Sequence, residues 1–300
     1  MRQDWMAIIN PVAGAGRAGK LAGAALNTLR QSGLRIEERI TRTAGEGVLF
    51  ARDAYESGYR KFIAVGGDGT AYEIVNGIFP QALAHEPPTL AFLPLGTGNS
   101  FLRDFTKRGA AHAQEALLSG TTRQCDVMRL HHSGGVLYYI NLLSVGFAAD
   151  VAFDRAERFR HLGEFGYLLG VFTRLISLDR RAFPLRVDDE LGFDLRPCLF
   201  LTFNNSKFTG GTMMIAPNAD PTDGLIEYVR WGAIGRAGLV WNLRRLYDGT
   251  HVHHPLAERR PARRIEFKLE EPVNVMIDGE VARLHLQSIQ VLPGALKVVV

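Results

Sequence analysis

The sequence predicts two domains. An N-terminal α/β domain on a parallel sheet spans residues 1–124, and an antiparallel sandwich or barrel spans residues 125–294. Three observations predict this. Short apolar runs alternate with helix-like stretches through the first domain, as βαβ units do. After Cys125 the alternation stops, and strand-like segments follow one another with few helices between them. Three glycine-rich turns each follow an apolar run of the first domain, at the strand ends where open parallel sheets hold their ligands.

Taken in order, Met6–Asn10 is a buried strand. Arg17–Ser32 is a helix with Leu21, Ala25 and Leu29 spaced four apart on one face. A strand over Leu34–Ile40, a helix over Gly47–Ser57, a strand over Lys61–Val65, a helix over Thr70–Phe79 and a strand over Thr89–Pro94 complete the alternation. The second domain has strands at Cys125–Leu130, Val136–Leu143, Phe183–Val187, Leu195–Asn204, Leu225–Arg230, Arg264–Leu269, Val273–Ile277 and Leu284–Val291, rich in β-branched and aromatic residues. Helices near Arg155–Leu178 and Ile234–Tyr247 interrupt them. A last strand, Ala295–Val300, fits either domain, and a return to the first is open to it.

Composition narrows the class. Of 300 residues, 46% are hydrophobic and 22% charged, enough for a core without covalent staples. The two cysteines, Cys125 and Cys198, form neither a disulfide framework nor a zinc pattern, so a reducing cytosol is the simplest reading. The segment MRQDWMAIINP lacks the apolar stretch of a signal peptide, and no apolar run is long enough to span a bilayer. A net charge of +4 suits an anionic partner such as a nucleotide, an anionic membrane or nucleic acid.

Four motifs carry chemistry. The first is Asn10-Pro11-Val12-Ala13-Gly14-Ala15-Gly16 with Arg17, Gly19 and Lys20. Its Gly14-x-Gly16-x-x-Gly19 spacing also fits a dinucleotide fingerprint, with Glu37 and Glu38 where that motif places its ribose-binding acid. The second, Gly66-Gly67-Asp68-Gly69-Thr70, exposes backbone amides suited to polyphosphate. There Asp68 makes sense with a bridging Mg²⁺ or as a hydrogen-bond organiser. Thr70 is placed to cap the helix, and Glu73 to hold a metal or complement the helix dipole. The third is Pro94-Leu95-Gly96-Thr97-Gly98-Asn99-Ser100. The fourth, Met276-Ile277-Asp278-Gly279-Glu280, sets two carboxylates about a glycine after an apolar strand.

Together these four resemble the diacylglycerol kinase catalytic family, which includes bacterial diacylglycerol kinases and sphingosine and ceramide kinases. The segment Ala216-Pro217-Asn218-Ala219-Asp220-Pro221-Thr222-Asp223-Gly224-Leu225 is similar to that family's A-P-x-A-x-x-x-D-G-x-L. The resemblance covers nearly the whole chain. It implies an ATP-dependent lipid kinase with an NAD-kinase-like α/β domain and a β-sandwich domain. By motif position, Asn10, Gly66, Gly67, Asp68, Gly69, Thr70, Glu73, Gly96, Thr97 and Asn99, with Thr41 of TRTAG, would hold the nucleotide. Asp278 and Glu280 match the catalytic acids. Asp223, with the carbonyls of Asp220 and Leu225, matches a structural Mg²⁺ site. Two positions depart from the pattern: Ser100 stands where the family has an acid, the next one here being Asp104, and Tyr72 replaces an asparagine.

The implied reaction is phosphoryl transfer from ATP with Mg²⁺ to the hydroxyl of a membrane lipid, diacylglycerol first. Glycine turns position the phosphates, and Glu280 or Asp278 accepts the hydroxyl proton. Arg17 and Lys20 either steady phosphates or sit as solvated helix charges. The basic, aromatic stretch Arg155–Arg181 either lies on an anionic membrane or covers the sandwich with a basic outer face. His251, His253 and His254 read as a loop rather than a metal site. The expected partners are the lipid at the membrane surface and, transiently, the anionic membrane itself, with no nucleic acid and a homodimer left open. The expected location is the cytoplasm, peripheral at the inner membrane face. A kinase of NAD-kinase type, a Rossmann oxidoreductase and a non-catalytic nucleotide or lipid sensor are the rival readings.

Overall fold

The computed structural model describes residues 4–96, 99–106, 108–158 and 180–300. Thr97 and most of the Arg155–Arg181 stretch lie outside the described residues. The chain divides into two compact units, Met1–Val127 with Leu292–Val300, and Met128–Val291.

The first unit carries β1 (Trp5–Ile9), α1 (Arg17–Gln31), β2 (Ile36–Ile40), α2 (Glu46–Glu56), β3 (Lys61–Gly66), α3 (Asp68–Ile78), β4 (Thr89–Pro94) and α4 (Gly109–Ser119). Strand β5 (Thr122–His132) leads out of it. Its sheet runs β2-β1-β3-β4 with every pairing parallel. The chain's last strand joins beside β4, also parallel, with Lys297 opposite Thr89. Strands β1, β3 and β4 are buried on both faces, as parallel strands between helices are, while the edge strand β2 is exposed beyond Ile36. One face, including Ala7, Ile9, Ile63, Val65, Ala91 and Leu93, packs on α1 through Ala18, Ala22, Leu26 and Leu29. The buried stripe of α1 is therefore displaced from the expected one: Leu21 is 46% exposed. Small residues at 18 and 22 let the helix approach the sheet closely. Helix α4, which periodicity did not mark, buries Ala113, Ala116 and Leu117.

The second unit begins with β6 (Gly135–Tyr139), β7 (Leu142–Gly146), α5 (Phe147–Arg158), β8 (Leu185–Val187) and β9 (Cys198–Asn204). The short pair β10 (Phe208–Thr209) and β11 (Met213–Met214), strand β12 (Ile226–Gly232) and helices α6 (Arg236–Asn242) and α7 (Arg245–Asp248) follow. Strands β13 (Ala257–Ala262), β14 (Arg264–Phe267), β15 (Val273–Ile277), β16 (Glu280–Leu284) and β17 (Leu286–Val299) complete the chain. A six-stranded antiparallel sheet runs β13-β12-β9-β7-β15-β16. Strand β14 pairs antiparallel with β8 and with the first part of β17, and its Phe267 ring meets Phe203 of β9 edge-on at 5.4 Å. This is the expected β-sandwich.

Three expectations are corrected here. Val136–Leu143 is two strands, not one. Its break falls at Ile140–Asn141, whose amides turn away from the ladder toward a buried carboxylate described below. The helix near residue 155 begins earlier, at Phe147, because its buried side includes Asp150 and Asp154 and so hides from an apolar count. The helix expected over Ile234–Tyr247 is two short helices.

Candidate functional site

In the first unit the glycine turns meet because the register aligns the strand ends. Ile9 lies opposite Val65, Val65 opposite Leu93, and Gly66 opposite Pro94. The three turns therefore start side by side at the carboxyl edge of the sheet. Gly96 donates to the Gly66 carbonyl at 2.8 Å, and a Cβ on Gly96 would stand 2.8 Å from the Gly67 backbone nitrogen. Gly14 has φ +63°, and a Cβ there would lie 2.5 Å from the Leu95 carbonyl oxygen. These glycines exist so that backbone can meet backbone.

Arg17 fastens the same cluster. Its guanidinium donates to the carbonyls of Leu95 at 3.2 Å and Gly96 at 3.1 Å. This clasp between the first and third turns is a role that neither expectation for Arg17 included. Asp68 acts as the hydrogen-bond organiser: Ser100 N–H donates to it at 2.8 Å and Phe101 N–H at 3.4 Å. Burial pushes its carboxyl up, and those two amides pull back. Asn99 donates to the Gly96 carbonyl at 3.3 Å, and Asn10 accepts from Val12 N–H at 3.3 Å, so both brace their own turns. Thr41 donates to the Ile9 carbonyl at 3.2 Å, which sets it at the end of β1 beside the first turn.

Two assignments change. Thr70 does not cap α3, whose N-cap is Gly67 without a side-chain bond. Its hydroxyl is buried against Gly66 and has no partner among the described residues. Glu73 turns to a neighbouring helix rather than to its own. It accepts from Gly45 N–H at 2.7 Å and Gly47 N–H at 3.0 Å, capping the neighbouring α2. Glu37 and Glu38 lie opposite Met6 and Ala7, short of the strand ends, and Glu38 pairs with Arg30 at 2.8 Å. The dinucleotide reading loses its ribose acid. What remains is a glycine-lined edge with the first-turn amides of α3 and a buried, unanswered hydroxyl at Thr70. Such an edge fits a polyphosphate.

In the second unit, Asp278 and Gly279 form the two-residue turn between β15 and β16, with φ +50° and +95° and Ile277 paired to Glu280. Asp-Gly is the dipeptide such a turn demands. The two acids then part company. Asp278 is 3% exposed and accepts three consecutive backbone amides: Ile140 at 2.9 Å, Asn141 at 3.0 Å and Leu142 at 2.9 Å. Around it Asn205 amide nitrogen donates to the Ile140 carbonyl at 2.7 Å, and the Ser206 hydroxyl donates to Asn141 Oδ1. Glu280 is exposed and lines a cavity.

That cavity measures about 540 Å³, inside the ~300–1,000 Å³ range of small-ligand sites. Phe147 and Val151 of α5, Leu239, Leu243 and Leu246 of the α6–α7 segment, and Phe200, Ile215 and Met276 make its wall mostly apolar. On the strand floor Ser144 lies opposite Thr202, and both face in. The Ser144 hydroxyl is buried without a partner among the described residues, while Thr202 accepts from Asn204 at 2.9 Å. Sequence reasoning missed Asn141, Ser144, Thr202, Asn205 and Ser206. The Asn204-Asn205-Ser206 run closing an apolar strand was the one local signal.

In the loop before β12, Asp223 accepts from Leu225 N–H at 2.9 Å, and Asp220 accepts from Thr222 through N–H at 3.0 Å and hydroxyl at 2.7 Å. Burial first, then the charge of Asp220, pushes the Asp223 carboxyl up. Among the described residues no three His, Cys, Asp or Glu side chains gather for a metal, so a site here would use one carboxylate and carbonyl oxygens. His251 is fully buried, its ring nitrogens on the carbonyls of Arg245 and Ile215, in keeping with a loop role.

Comparison with known proteins follows the same division. Residues 4–130 match the diacylglycerol kinase catalytic domain, and residues 141–300 match the YegS C-terminal NAD kinase beta sandwich-like domain. A relative named "Diacylglycerol kinase" from Mycobacterium tuberculosis is 29% identical over 97% of this chain and 93% of its own. One named "Probable lipid kinase YegS-like" from Chromohalobacter salexigens is 30% identical over 91% of this chain and 86% of its own. A crystal structure of a diacylglycerol kinase from Bacillus anthracis superposes with a TM-score of 0.72 at 19% identity, covering 99% of this chain and 96% of that one.

Proposed function

This chain belongs to the diacylglycerol kinase catalytic family, and on that premise we propose that it phosphorylates a hydroxyl of a membrane lipid, diacylglycerol first, with ATP and Mg²⁺. The observation that carries the reading is the apolar cavity with Glu280 in its wall. Its mostly apolar wall suits an acyl chain better than the charged, polar body of a dinucleotide.

Each residue has a part in this scheme. ATP, when bound, supplies the phosphoryl group, and the residues fit to hold it are the backbone amides of the 66–70 turn with the Thr70 hydroxyl. Arg17 and Asp68 keep the turns in register. Glu280 accepts the proton of the lipid hydroxyl as its oxygen bonds to phosphorus and ADP leaves. Asp278 fixes the turn that aims Glu280, since three buried amides hold its carboxylate. Asp223 with the Asp220 and Leu225 carbonyls would hold a Mg²⁺ that stiffens the loop before β12.

The test is transfer of label from ATP, with Mg²⁺, to a panel of diacylglycerol, monoacylglycerol, sphingosine and NAD in mixed micelles. Labelled phosphatidic acid is expected. Label in NAD alone, or in none of the panel, overturns the reading.

A further inference from the structure

Helices α6 and α7 are two-sided. Their inner side chains, Leu239, Leu243 and Leu246, wall the cavity. Their outer side presents large apolar groups to solvent: Val240 is 52% exposed, Trp241 81% and Tyr247 57%. The exposed positions 236, 237, 240, 241 and 244 follow a helical stripe, so the stripe reads Arg, Ala, Val, Trp, Arg, with Arg245 next to it. Cations thus bracket an apolar centre at both ends. The one exposed acid of the segment, Asp248, is turned onto its own backbone, accepting from Thr250 N–H at 2.9 Å and hydroxyl at 2.6 Å.

We propose that this outer face docks on an anionic lipid bilayer, with Trp241, Val240 and Tyr247 in the headgroup–acyl boundary and Arg236, Arg244 and Arg245 at the phosphates. Tryptophan and tyrosine favour that boundary because each has an apolar body and a polar tip. Arginines snorkel from it to the headgroups. Charge selects the occupant. A second copy of this chain, docked symmetrically, would set the same arginines against each other. A neutral surface would offer them no net negative charge. The cavity wall and the docking face are opposite sides of one thin helical layer, so a lipid leaving the bilayer at this face has only that layer to pass. The proposal rests on the lipid reading of the cavity for its purpose, while its test does not.

The test uses the full chain and vesicles without ATP or diacylglycerol. Of the three tryptophans, Trp5 is 8% and Trp231 1% exposed, so Trp241 alone reports the surface by fluorescence. With vesicles containing phosphatidylglycerol, its emission is expected to shift to the blue and to be quenched by lipids brominated on their acyl chains. Pure phosphatidylcholine vesicles are expected to give a much weaker response. W241A should lose vesicle affinity by roughly 10- to 100-fold, and R244Q and R245Q by about fivefold each. All three positions are exposed, and unchanged circular dichroism is the check on folding. Vesicle binding with Trp241 unquenched, no binding at all, or equal binding by W241A overturns the proposal. So does self-association that W241A abolishes, because it gives the face to a second copy.

Discussion

Replacing Asp278 and Glu280 separately by their amides should split two acids that sequence motifs place in one pair. In Asp278→Asn the remaining oxygen can keep the Asn141 and Leu142 amides that bond to one carboxylate oxygen, 3.0 and 2.9 Å away. The Ile140 amide, 2.9 Å from the other oxygen, then faces an NH₂ group and loses its acceptor. A stranded buried donor costs about 1–3 kcal/mol. The two surviving bonds lose their charge, about 1 kcal/mol each when charged and neutral bonds are compared. The expected destabilisation is therefore about 3–5 kcal/mol, a large share of the ~5–15 kcal/mol that keeps a domain folded. Glu280→Gln removes nothing buried and should leave stability unchanged, while the rate falls by about 10²–10⁴. Urea unfolding followed by circular dichroism, beside phosphoryl transfer to the lipid, reads both variants. An Asp278→Asn protein as stable as the parent would show that the amide cradle does not depend on the charge. Full turnover by Glu280→Gln would place the base elsewhere.

Four further outcomes follow. Gly96→Ala puts a methyl 2.8 Å from the Gly67 backbone, so ATP affinity measured by calorimetry should fall at least roughly tenfold, with about 1–3 kcal/mol of overpacking; unchanged affinity would remove the turn from the nucleotide site. Mg²⁺ should raise the melting temperature of the parent but not of Asp223→Asn, by what ~2.7 kcal/mol of linkage gives at a hundredfold excess over Kd; equal shifts would place the ion elsewhere. Ser144→Ala should raise KM for the lipid with kcat unchanged, because the buried hydroxyl has no partner among the described residues to lose; a drop in stability without a KM effect would make it structural. Burial holds the His251 imidazole below the ordinary value near 6.5, against the pull of two carbonyls. The unfolded chain then takes the proton first, so the stability from neutral His251 is present above about pH 6.5 and lost as pH falls through the folded value. The urea midpoint should drop more steeply between pH 7 and pH 5 in the parent than in His251→Gln.

What could be read from the sequence was what repeats locally. Strands β1, β3, β4 and β15 are apolar runs bounded by turn residues, and their limits fall within a residue of expectation. Strands β13 and β16 were not legible because they are the two edges of their sheet. Ala257–Ala262 carries three charges and Pro261, and Glu280–Leu284 begins on an acid, as edge strands do to avoid pairing. The glycine turns could be read as turns, but not the clasp between them. Arg17 reaches carbonyls 78 and 79 positions away, and Glu73 caps a helix through amides 28 and 26 positions away. No local pattern distinguishes either from a solvated helix charge.

The same limit explains why Asp278 and Glu280 looked alike. Two carboxylates about a glycine are equivalent until the fold supplies surroundings to each. At Asp278 the surroundings are amides 136 to 138 positions away, which interrupt what would otherwise be one strand from Val136 to Leu143. A strand that gives up its ladder bonds at Ile140 and Asn141 must have those groups satisfied elsewhere. Here one buried carboxylate satisfies them. The broken strand and the buried acid are thus one feature seen from two ends of the chain. The break holds the turn at a fixed angle, and the turn sets Glu280 in the cavity wall. An acid that needs three amides to stay buried suits the anchor, and one that faces the ligand space suits the proton acceptor.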